Sequence, residues 1–178
     1  MKKLHDNISP LDSRYAGKIE STRSIFSEAN LIKIRFELEI DWLIFLCSKL
    51  PSNFPTLSNA SLNKILKFKK DFNSKSVIAI KKIELKTNHD VKAVEYYIRD
   101  YFLKDKTLSK YVHLIHFGLT SEDLNSLSYA VIVKDGIADH LKNLKSLQSA
   151  LLKKSGQWSS IPLLARTHGQ PASPSTLG

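Results

Sequence analysis

The sequence predicts an all-α protein: an N-terminal helical domain over residues 1–111, then the first long helix of an incomplete helical-bundle domain over residues 112–178. Two observations favour this class. In several separate segments, apolar residues recur every three or four positions, which is the period of a helix with one buried face. In contrast, no two segments alternate apolar and polar residues around a turn, so no strand pair is predicted. Of the 178 residues 42% are apolar, which is ordinary for a chain that buries a core.

The first part of the chain predicts one loop and one long helix. Residues 5–17 contain turn formers such as Pro10, and they predict a loop. The helix is predicted over residues 24–50, and Pro51 ends it. Its buried face would carry the apolar residues Ile25, Leu31, Ile34, Leu38, Trp42 and Phe45.

Three further helices are predicted in the middle of the chain. Residues 58–69 and 76–86 each carry apolar residues on one face. The third helix follows a polar break at residues 87–90, where Asn88 or Asp90 is suited to cap the helix by accepting a backbone N–H. The apolar residues of that helix are Val91, Val94, Tyr97, Ile98, Tyr101 and Phe102.

The longest helix is predicted to open at Thr120 and to keep one apolar stripe for many turns. Because such a stripe needs partner helices and the rest of this sequence supplies none, we expect either a missing C-terminal part or an oligomer. After this helix, residues 161–171 predict an irregular stretch, and Pro174 is well placed to begin a new helix. The stripe consists of Leu124, Leu127, Val131, Ile137, Leu141, Leu144, Leu147 and Leu151.

Composition limits the partners of the chain. A net charge of +10 and a pI near 9.6 admit a nucleic acid, an acidic membrane surface or a small anion. Lysine outnumbers arginine and is scattered, so a solvated surface is favoured and nucleic-acid binding is not expected. The single cysteine, Cys47, indicates a reducing compartment. No apolar stretch is long enough for a membrane span and no signal peptide is evident, so we expect a cytoplasmic protein.

Three polar breaks, at residues 87–90, 120–123 and 166–171, lie next to predicted helix N-termini, where unpaired N–H groups favour anions. In the first, His89 could bind an anion or place a proton, although a simple helix cap is the favoured interpretation. In the second, the hydroxyls of Thr120 and Ser121 could hold a carboxylate or phosphate. An ordinary cap is favoured there too, because Glu122 and Asp123 repel an anion unless they point away.

The third polar segment, residues 166–171, sets His168 beside Gly169. Glycine lets a ligand approach the backbone closely, and histidine transfers protons near neutral pH. A functional site and a turn held by local hydrogen bonds are about equally favoured here. The other histidines show no metal-ligand spacing, and the glycine-rich fingerprints of nucleotide cofactors are absent, so no metal or cofactor is expected.

Together, these segments resemble the adenylosuccinate lyases of the fumarase and aspartase superfamily. Four motifs match in order over essentially the whole chain: SPLDSRY at residues 9–15, KTNHDVKAVEY at 86–96, HFGLTSED at 116–123 and RTHGQPA at 166–172. The TNHDVKAVEY block separates this family from fumarases, aspartases and argininosuccinate lyases. The chain is therefore identified by resemblance as the N-terminal part of such a lyase.

The resemblance implies roles for the first two motifs. Arg14 and Tyr15 would contact the nucleotide at its phosphate. Asn88, His89 and Asp90 would line the substrate pocket, with His89 near the phosphate or the succinyl group.

For the last two motifs the resemblance implies the chemistry at the succinyl arm. Thr120 and Ser121 would bind one of its carboxylates. His168 would be the general acid that protonates the purine-side nitrogen, while Thr167 and Gln170 would orient the substrate.

The implied reaction is a β-elimination that releases fumarate from adenylosuccinate, giving AMP, and from the succinylated imidazole-carboxamide ribotide. The family needs no cofactor and forms a homotetramer around a bundle of long helices. Its general base is a serine on a mobile loop in the C-terminal half, and no such segment occurs in this chain. We therefore expect the chain alone to be inactive or nearly so.

Two alternatives stay open from the sequence. One is a lyase of the same superfamily with another fumarate-yielding substrate, which the block around His89 disfavours. The other is a non-catalytic basic helical module that assembles with partner subunits or binds nucleic acid. A steep salt dependence of RNA binding would identify the nucleic-acid case.

Overall fold

The computed structural model describes residues 8–50 and 52–178. The first residues of the predicted loop, 5–7, and the helix-ending Pro51 lie outside the described residues. Contacts divide the chain into two compact units, residues 1–135 and 136–178. The domain boundary predicted between residues 111 and 112 stays a prediction. The all-α class is confirmed, since the described elements are helical apart from one short hairpin.

The described elements of the first unit are helices. Two 3₁₀ helices, Pro10–Asp12 and Ala16–Lys18, precede α1 (Glu20–Phe26), α2 (Glu28–Lys49), α3 (Asn59–Lys70), α4 (Ser74–Thr87) and α5 (Asp90–Leu103). A third 3₁₀ helix, Ser109–Leu114, leads to α6 (Ser121–Trp158), which belongs to this unit as far as Asp135.

The prediction of one unbroken helix over residues 24–50 is wrong at Ser27, where the chain breaks between α1 and α2. Ser27 has extended backbone angles, and its hydroxyl oxygen accepts the Asn30 amide at 3.3 Å. Serine serves better as an N-cap than inside a helix, because its side chain competes for backbone hydrogen bonds.

Helix α2 is the centre of the core of the first unit. It packs against α3, α4 and α5, and its side chains Phe36, Ile40 and Leu43 are fully buried. Ile98 and Phe102 of α5 are equally buried in the same cluster. Each such side chain stabilises the fold by roughly 1.5–3 kcal/mol. Helix α2 is therefore a rigid support for the segments that touch it.

The second unit holds the end of α6 and an antiparallel hairpin of β1 (Pro162–Thr167) and β2 (Gln170–Thr176). Its Cα pairs run from Pro162 opposite Thr176 to Thr167 opposite Gln170, with an irregular register near Leu164. At the base of the hairpin, the Leu177 amide donates to the Ile161 carbonyl at 2.9 Å.

The predictions of no strand pair and of a new helix at Pro174 are wrong, because residues 162–176 form this hairpin and Pro174 lies within β2. Nearly every residue of both strands is exposed, so the sequence carries no apolar alternation to reveal them. Proline is tolerated because each strand of a two-stranded ribbon has one edge without ladder hydrogen bonds.

Candidate functional site

The junction between α4 and α5 carries three of the predicted site residues. Asn88 ends α4 in the left-handed conformation with φ 49°, which asparagine tolerates better than most residues. His89 has extended backbone angles and is the N-cap of α5, where its Nδ1 accepts the Lys92 amide at 3.2 Å. The N-cap position is taken by His89 and not by Asn88 or Asp90, but Asp90, the first residue of α5, does accept a backbone N–H there as predicted, that of Val91.

This cap determines where the proton of the neutral His89 ring lies. Because Nδ1 accepts a hydrogen bond, the neutral ring carries its proton on Nε2. The side chain is 49% exposed. Nε2 can therefore donate to a phosphate or carboxylate oxygen while the helix cap keeps the ring in place.

Asp90 lies beside a buried cation. Its Oδ2 is 2.8 Å from Nη1 of Arg35, and its Oδ1 accepts the Val91 amide at 2.8 Å. Burial by itself raises the pKa of Asp90, but the Val91 amide and the Arg35 guanidinium outweigh it and hold the pKa below its ordinary value. The carboxylate is thus ionised at neutral pH and fixed at the start of α5.

A cleft of about 490 Å³ opens at this junction. It brings together the predicted residues Asn88, His89 and Asp90. Beside it, Lys81 bridges Glu28 and Glu84 at 2.8 Å each. The cleft therefore has hydrogen-bond donors of its own and carboxylates whose charge is already paired. Its lining consists of Glu28, Leu31, Ile32, Arg35, Glu84, Asn88, His89, Asp90 and Tyr129.

Thr120 and Ser121 lie at the start of α6, where Thr120 and Asp123 form reciprocal capping contacts. The Thr120 amide and hydroxyl both donate to Oδ2 of Asp123 at 2.7 Å, and the Asp123 amide donates back to the hydroxyl at 3.3 Å. The pKa of Asp123 lies below its ordinary value, chiefly because its carboxylate accepts the hydrogen bond from the Thr120 amide. Asp123 thus takes both the amide and the one hydroxyl proton of Thr120, so the donors that the anion-site hypothesis needs are free only in part. The Ser121 hydroxyl takes no part in these capping contacts.

The segment before this helix is attached to α2 at two points. Both carboxylate oxygens of Glu39 contact His116: Oε2 accepts its amide at 3.1 Å, and Oε1 lies 2.5 Å from its Nδ1. The Trp42 indole N–H donates to the Phe117 carbonyl at 2.8 Å. His116 is left-handed with φ 61°, an uncommon conformation for a non-glycine residue, so these contacts hold a turn that the chain would otherwise disfavour.

Arg14 and Tyr15 lie between the first two 3₁₀ helices and do not line the cleft. The Arg14 guanidinium carbon is 5.5 Å from the centroid of the Tyr15 ring, a cation–π contact. Both side chains are exposed. Their predicted contact with a phosphate stays a prediction.

Within the second unit, His168 lies at the tip of the hairpin. His168 and Gly169 form its two-residue turn with φ 49° and 77°, and Thr167 and Gln170 are the closing pair of the strands. Two left-handed residues match the right-handed twist of a hairpin. The side chains of Thr167, His168 and Gln170 are exposed around the tip. Their roles in acid catalysis and orientation stay predictions.

Sequence reasoning missed Arg35, Glu39 and Tyr129. Arg35 and Glu39 are charged residues on the otherwise apolar face of α2, and their exposed fractions are 5% and 1%. A charge at a core position of a helical pattern is the signal that could have identified them. Tyr129 carried no comparable signal, because an exposed tyrosine on a long helix is unremarkable.

In residues 8–50 and 52–178, no three His, Cys, Asp or Glu side chains are grouped as ligands of one metal ion. Among the helices of the described part of the chain, none combines the length and the apolar character needed to cross a bilayer.

The chain is similar to known proteins over nearly all of its length. A family described as lyase matches residues 13–178. An adenylosuccinate lyase of Haemophilus influenzae is 42% identical over 179 residues, covering 96% of this chain and 38% of that protein. Adenylosuccinate lyases of Vibrio cholerae and of Buchnera aphidicola from Acyrthosiphon pisum are 40% and 38% identical, with the same 96% and 38% coverage. This chain thus spans a little over a third of the length of these curated relatives.

Proposed function

Since this chain belongs to the lyase family, we propose that it is part of an adenylosuccinate lyase, which eliminates fumarate from adenylosuccinate to give AMP. The same site would act on the succinylated imidazole-carboxamide ribotide. The activity belongs to a longer protein, because this chain spans 38% of the relatives that carry the name.

The observation that carries the proposal is the cleft at the α4–α5 junction. It gathers Asn88, His89 and Asp90, with the proton of the neutral His89 ring on Nε2. The substrate is a purine nucleotide with one phosphate and two carboxylates, so it needs several fixed donors. His89 Nε2 and the Ser121 hydroxyl, which the capping contacts leave out, are donors of that kind.

Binding is divided among separate segments in this proposal. Arg14 and Tyr15 contact the phosphate. Asn88, His89 and Asp90 line the pocket, and His89 donates to the phosphate or the succinyl group. Ser121, whose hydroxyl is left out of the α6 capping contacts, holds a succinyl carboxylate, and Thr120 joins it by transferring its hydroxyl hydrogen bond from Asp123 to the substrate.

The chemistry is a β-elimination. A base removes a proton from the succinyl carbon next to a carboxylate, and the negative charge spreads into that carboxylate, where fixed donors stabilise it. The bond from the neighbouring carbon to the purine-side nitrogen then breaks, and its electron pair stays on nitrogen. His168 protonates that nitrogen as general acid, while Thr167 and Gln170 orient the substrate. Fumarate and AMP then leave. The general base is supplied by a part of the longer protein that lies outside these 178 residues.

Three further expectations belong to the proposal. The enzyme is a homotetramer, for which the exposed leucine stripe of α6 would supply packing surface. Residues 1–111 form its N-terminal domain, and the single cysteine fits a cytoplasmic location.

The test is a hybrid enzyme in which residues 1–178 of this chain replace the matching segment of the Haemophilus influenzae relative. Fumarate release from adenylosuccinate is followed for the hybrid and for its His168→Ala variant. Loss of the general acid is expected to lower kcat by about 10²–10⁴-fold. The control is His113→Ala, which removes an exposed histidine outside the site. Equal kcat for the His168 and His113 variants would reject the assignment of the acid.

The phosphate contact is tested in the same hybrid by Arg14→Ala. A charge-assisted hydrogen bond contributes about 1.5–3 kcal/mol, so KM should rise roughly tenfold or more with little change in kcat. Lys18→Ala is the matched control, because the Lys18 ammonium also lies against the Tyr15 ring, 5.8 Å from its centroid. An unchanged KM for Arg14→Ala would contradict the phosphate role.

A further inference from the structure

Three polar residues lie on one stripe of α2 at positions 35, 39 and 42. Steps of four and three residues place them on the same face of a helix. Arg35 and Glu39 are 5% and 1% exposed, and Trp42 is partly buried. Each makes its polar contact outside α2: Arg35 with the first residue of α5, and Glu39 and Trp42 with the turn that precedes α6.

Arg35 fixes the first residue of α5. Its Nη1 pairs with Asp90 at 2.8 Å, whereas its Nε is buried without a hydrogen-bond partner. A buried, incompletely satisfied guanidinium adds little net stability, because desolvation offsets the attraction of the pair. What the pair supplies is position: Asp90 directly follows His89, the N-cap of α5.

Glu39 and Trp42 fix the segment before α6. Glu39 uses both carboxylate oxygens on His116, one on the amide and one on the ring. Because a carboxylate only accepts hydrogen bonds, the ring proton of this pair lies on Nδ1. Trp42 takes the next carbonyl, that of Phe117. Three hydrogen bonds thus hold a turn that ends two residues before Thr120.

We propose that Arg35, Glu39 and Trp42 form a positioning stripe that sets the two substrate-binding segments, residues 88–90 and 116–121, for a common ligand. The inference rests on the proposed function, since it assumes that both segments contact the substrate. None of the three residues touches the reacting atoms. They act through His89 and through the start of α6.

The structural half of the inference is tested by amide hydrogen exchange of the 178-residue chain. In Glu39→Leu, which keeps the volume but removes both acceptors, exchange at residues 116–121 should rise at least about tenfold. In Arg35→Met, the rise should appear at residues 88–92 instead. Glu37→Leu is the matched control, because Glu37 lies on the same helix in an ion pair with Lys33 that is open to solvent.

The functional half is tested by kinetics of the hybrid enzyme described above. A displacement of about 1 Å in a binding group costs up to about 10²-fold, so Glu39→Leu and Arg35→Met should lower kcat/KM by about 10- to 100-fold. Glu39→Gln and Arg35→Lys, which keep an acceptor and a cation, should recover part of the loss. Trp42→Phe, which deletes only the indole hydrogen bond, should give a smaller loss, and Glu37→Leu should stay within about twofold.

The outcomes separate this inference from the proposed function. Segment-specific exchange together with lowered kcat/KM supports positioning. Exchange that rises evenly through the core, or not at the stated segment, overturns it, and so does segment-specific exchange with unchanged kcat/KM in an active hybrid. If the folded wild-type hybrid releases no fumarate, the proposed function fails, and the exchange result alone decides whether the stripe holds its two segments.

Discussion

Removing either partner of the Arg35–Asp90 ion pair should destabilise the first unit, but unequally. The Arg35 side chain is 6% exposed, whereas that of Asp90 is 50% exposed. Asp90→Asn leaves a buried cation without its counter-charge, although the new amide oxygen can still accept the Val91 N–H. Arg35→Met leaves a carboxylate that water can reach. The costlier change is therefore the one at the more exposed residue.

The loss in free energy of unfolding depends on how deeply the remaining charged group is buried. Breaking a fully buried pair costs about 3–5 kcal/mol, and breaking an exposed pair costs about 0.2–1 kcal/mol. With one partner buried and the other half exposed, we expect Asp90→Asn to cost about 2 kcal/mol and Arg35→Met to cost about 1 kcal/mol or less. The double variant should cost about as much as Arg35→Met alone, because no buried charge is stranded.

The assay is urea unfolding at pH 7, followed by the fluorescence of Trp42 in a Trp158→Phe background, so that one tryptophan reports the first unit. With a urea dependence of about 1.5–2 kcal/mol per M, a loss of 2 kcal/mol lowers the midpoint by about 1 M. An Arg35→Met variant that is destabilised as much as Asp90→Asn would refute the reasoning. A double variant whose cost is the sum of the single costs would refute it too.

Acid should remove the difference in unfolding free energy between the wild type and Asp90→Asn. The Val91 amide and Arg35 outweigh desolvation and hold the pKa of Asp90 below its ordinary value of 3.8. A lowered carboxyl pKa stabilises the fold fully above the unfolded pKa, and the gain is lost as the pH falls through the folded pKa. The unfolding free energies of the two proteins should therefore converge below pH 3.8, and a constant difference would contradict this.

Three further predictions concern other parts of the chain. Burial raises the pKa of Glu39 above its ordinary value of 4.5, although the contacts with His116 lower it in part. The free energy of unfolding should therefore fall as the pH rises from 4.5 through the pKa of the folded state. Urea unfolding measured from acid to neutral pH should show this slope in the wild type and not in Glu39→Gln. Gly169→Ala should destabilise the hairpin by about 1 kcal/mol, because alanine disfavours the φ of 77° at this position, and cross-strand NMR contacts should weaken. Gly156→Ala is the control and should leave those contacts unchanged, because the space around Gly156 is open. Asp123→Ala should cost about 1 kcal/mol in thermal unfolding by removing the α6 cap, and Glu122→Ala should cost less.

Sequence patterns identified the helices and the polar segments between them. The spacing of apolar residues reflects burial on one face, and α5 confirms it, with Ile98 and Phe102 in the core. The face predicted over residues 24–50 is wrong: of its six residues only Ile34 is buried, and Phe45 is 44% exposed. The helical period fits the adjacent apolar face of α2 equally well, and it is that face which is buried. The polar segments around His89 and Thr120 were recognisable because the residues that suit helix starts are few. The break at Ser27 was missed because the apolar spacing continues across it.

The pairings across the chain could not be read from the sequence. Glu39 and His116 are 77 positions apart, and nothing local to either residue names the other. The hairpin was missed for a different reason: its strands are exposed on both faces and contain proline, so the period-two pattern is absent. The Glu39–His116 pair is determined by tertiary contacts, and the hairpin by the turn at His168 and Gly169.

The central claim, that this chain is part of an adenylosuccinate lyase, is tested most directly by fumarate release from adenylosuccinate. The measurement compares the folded, assembled hybrid with the parent Haemophilus influenzae enzyme under the same conditions. The account predicts turnover by the hybrid within about tenfold of the parent, with AMP and fumarate formed in equal amounts. A hybrid that is folded and assembled but produces no fumarate would contradict it.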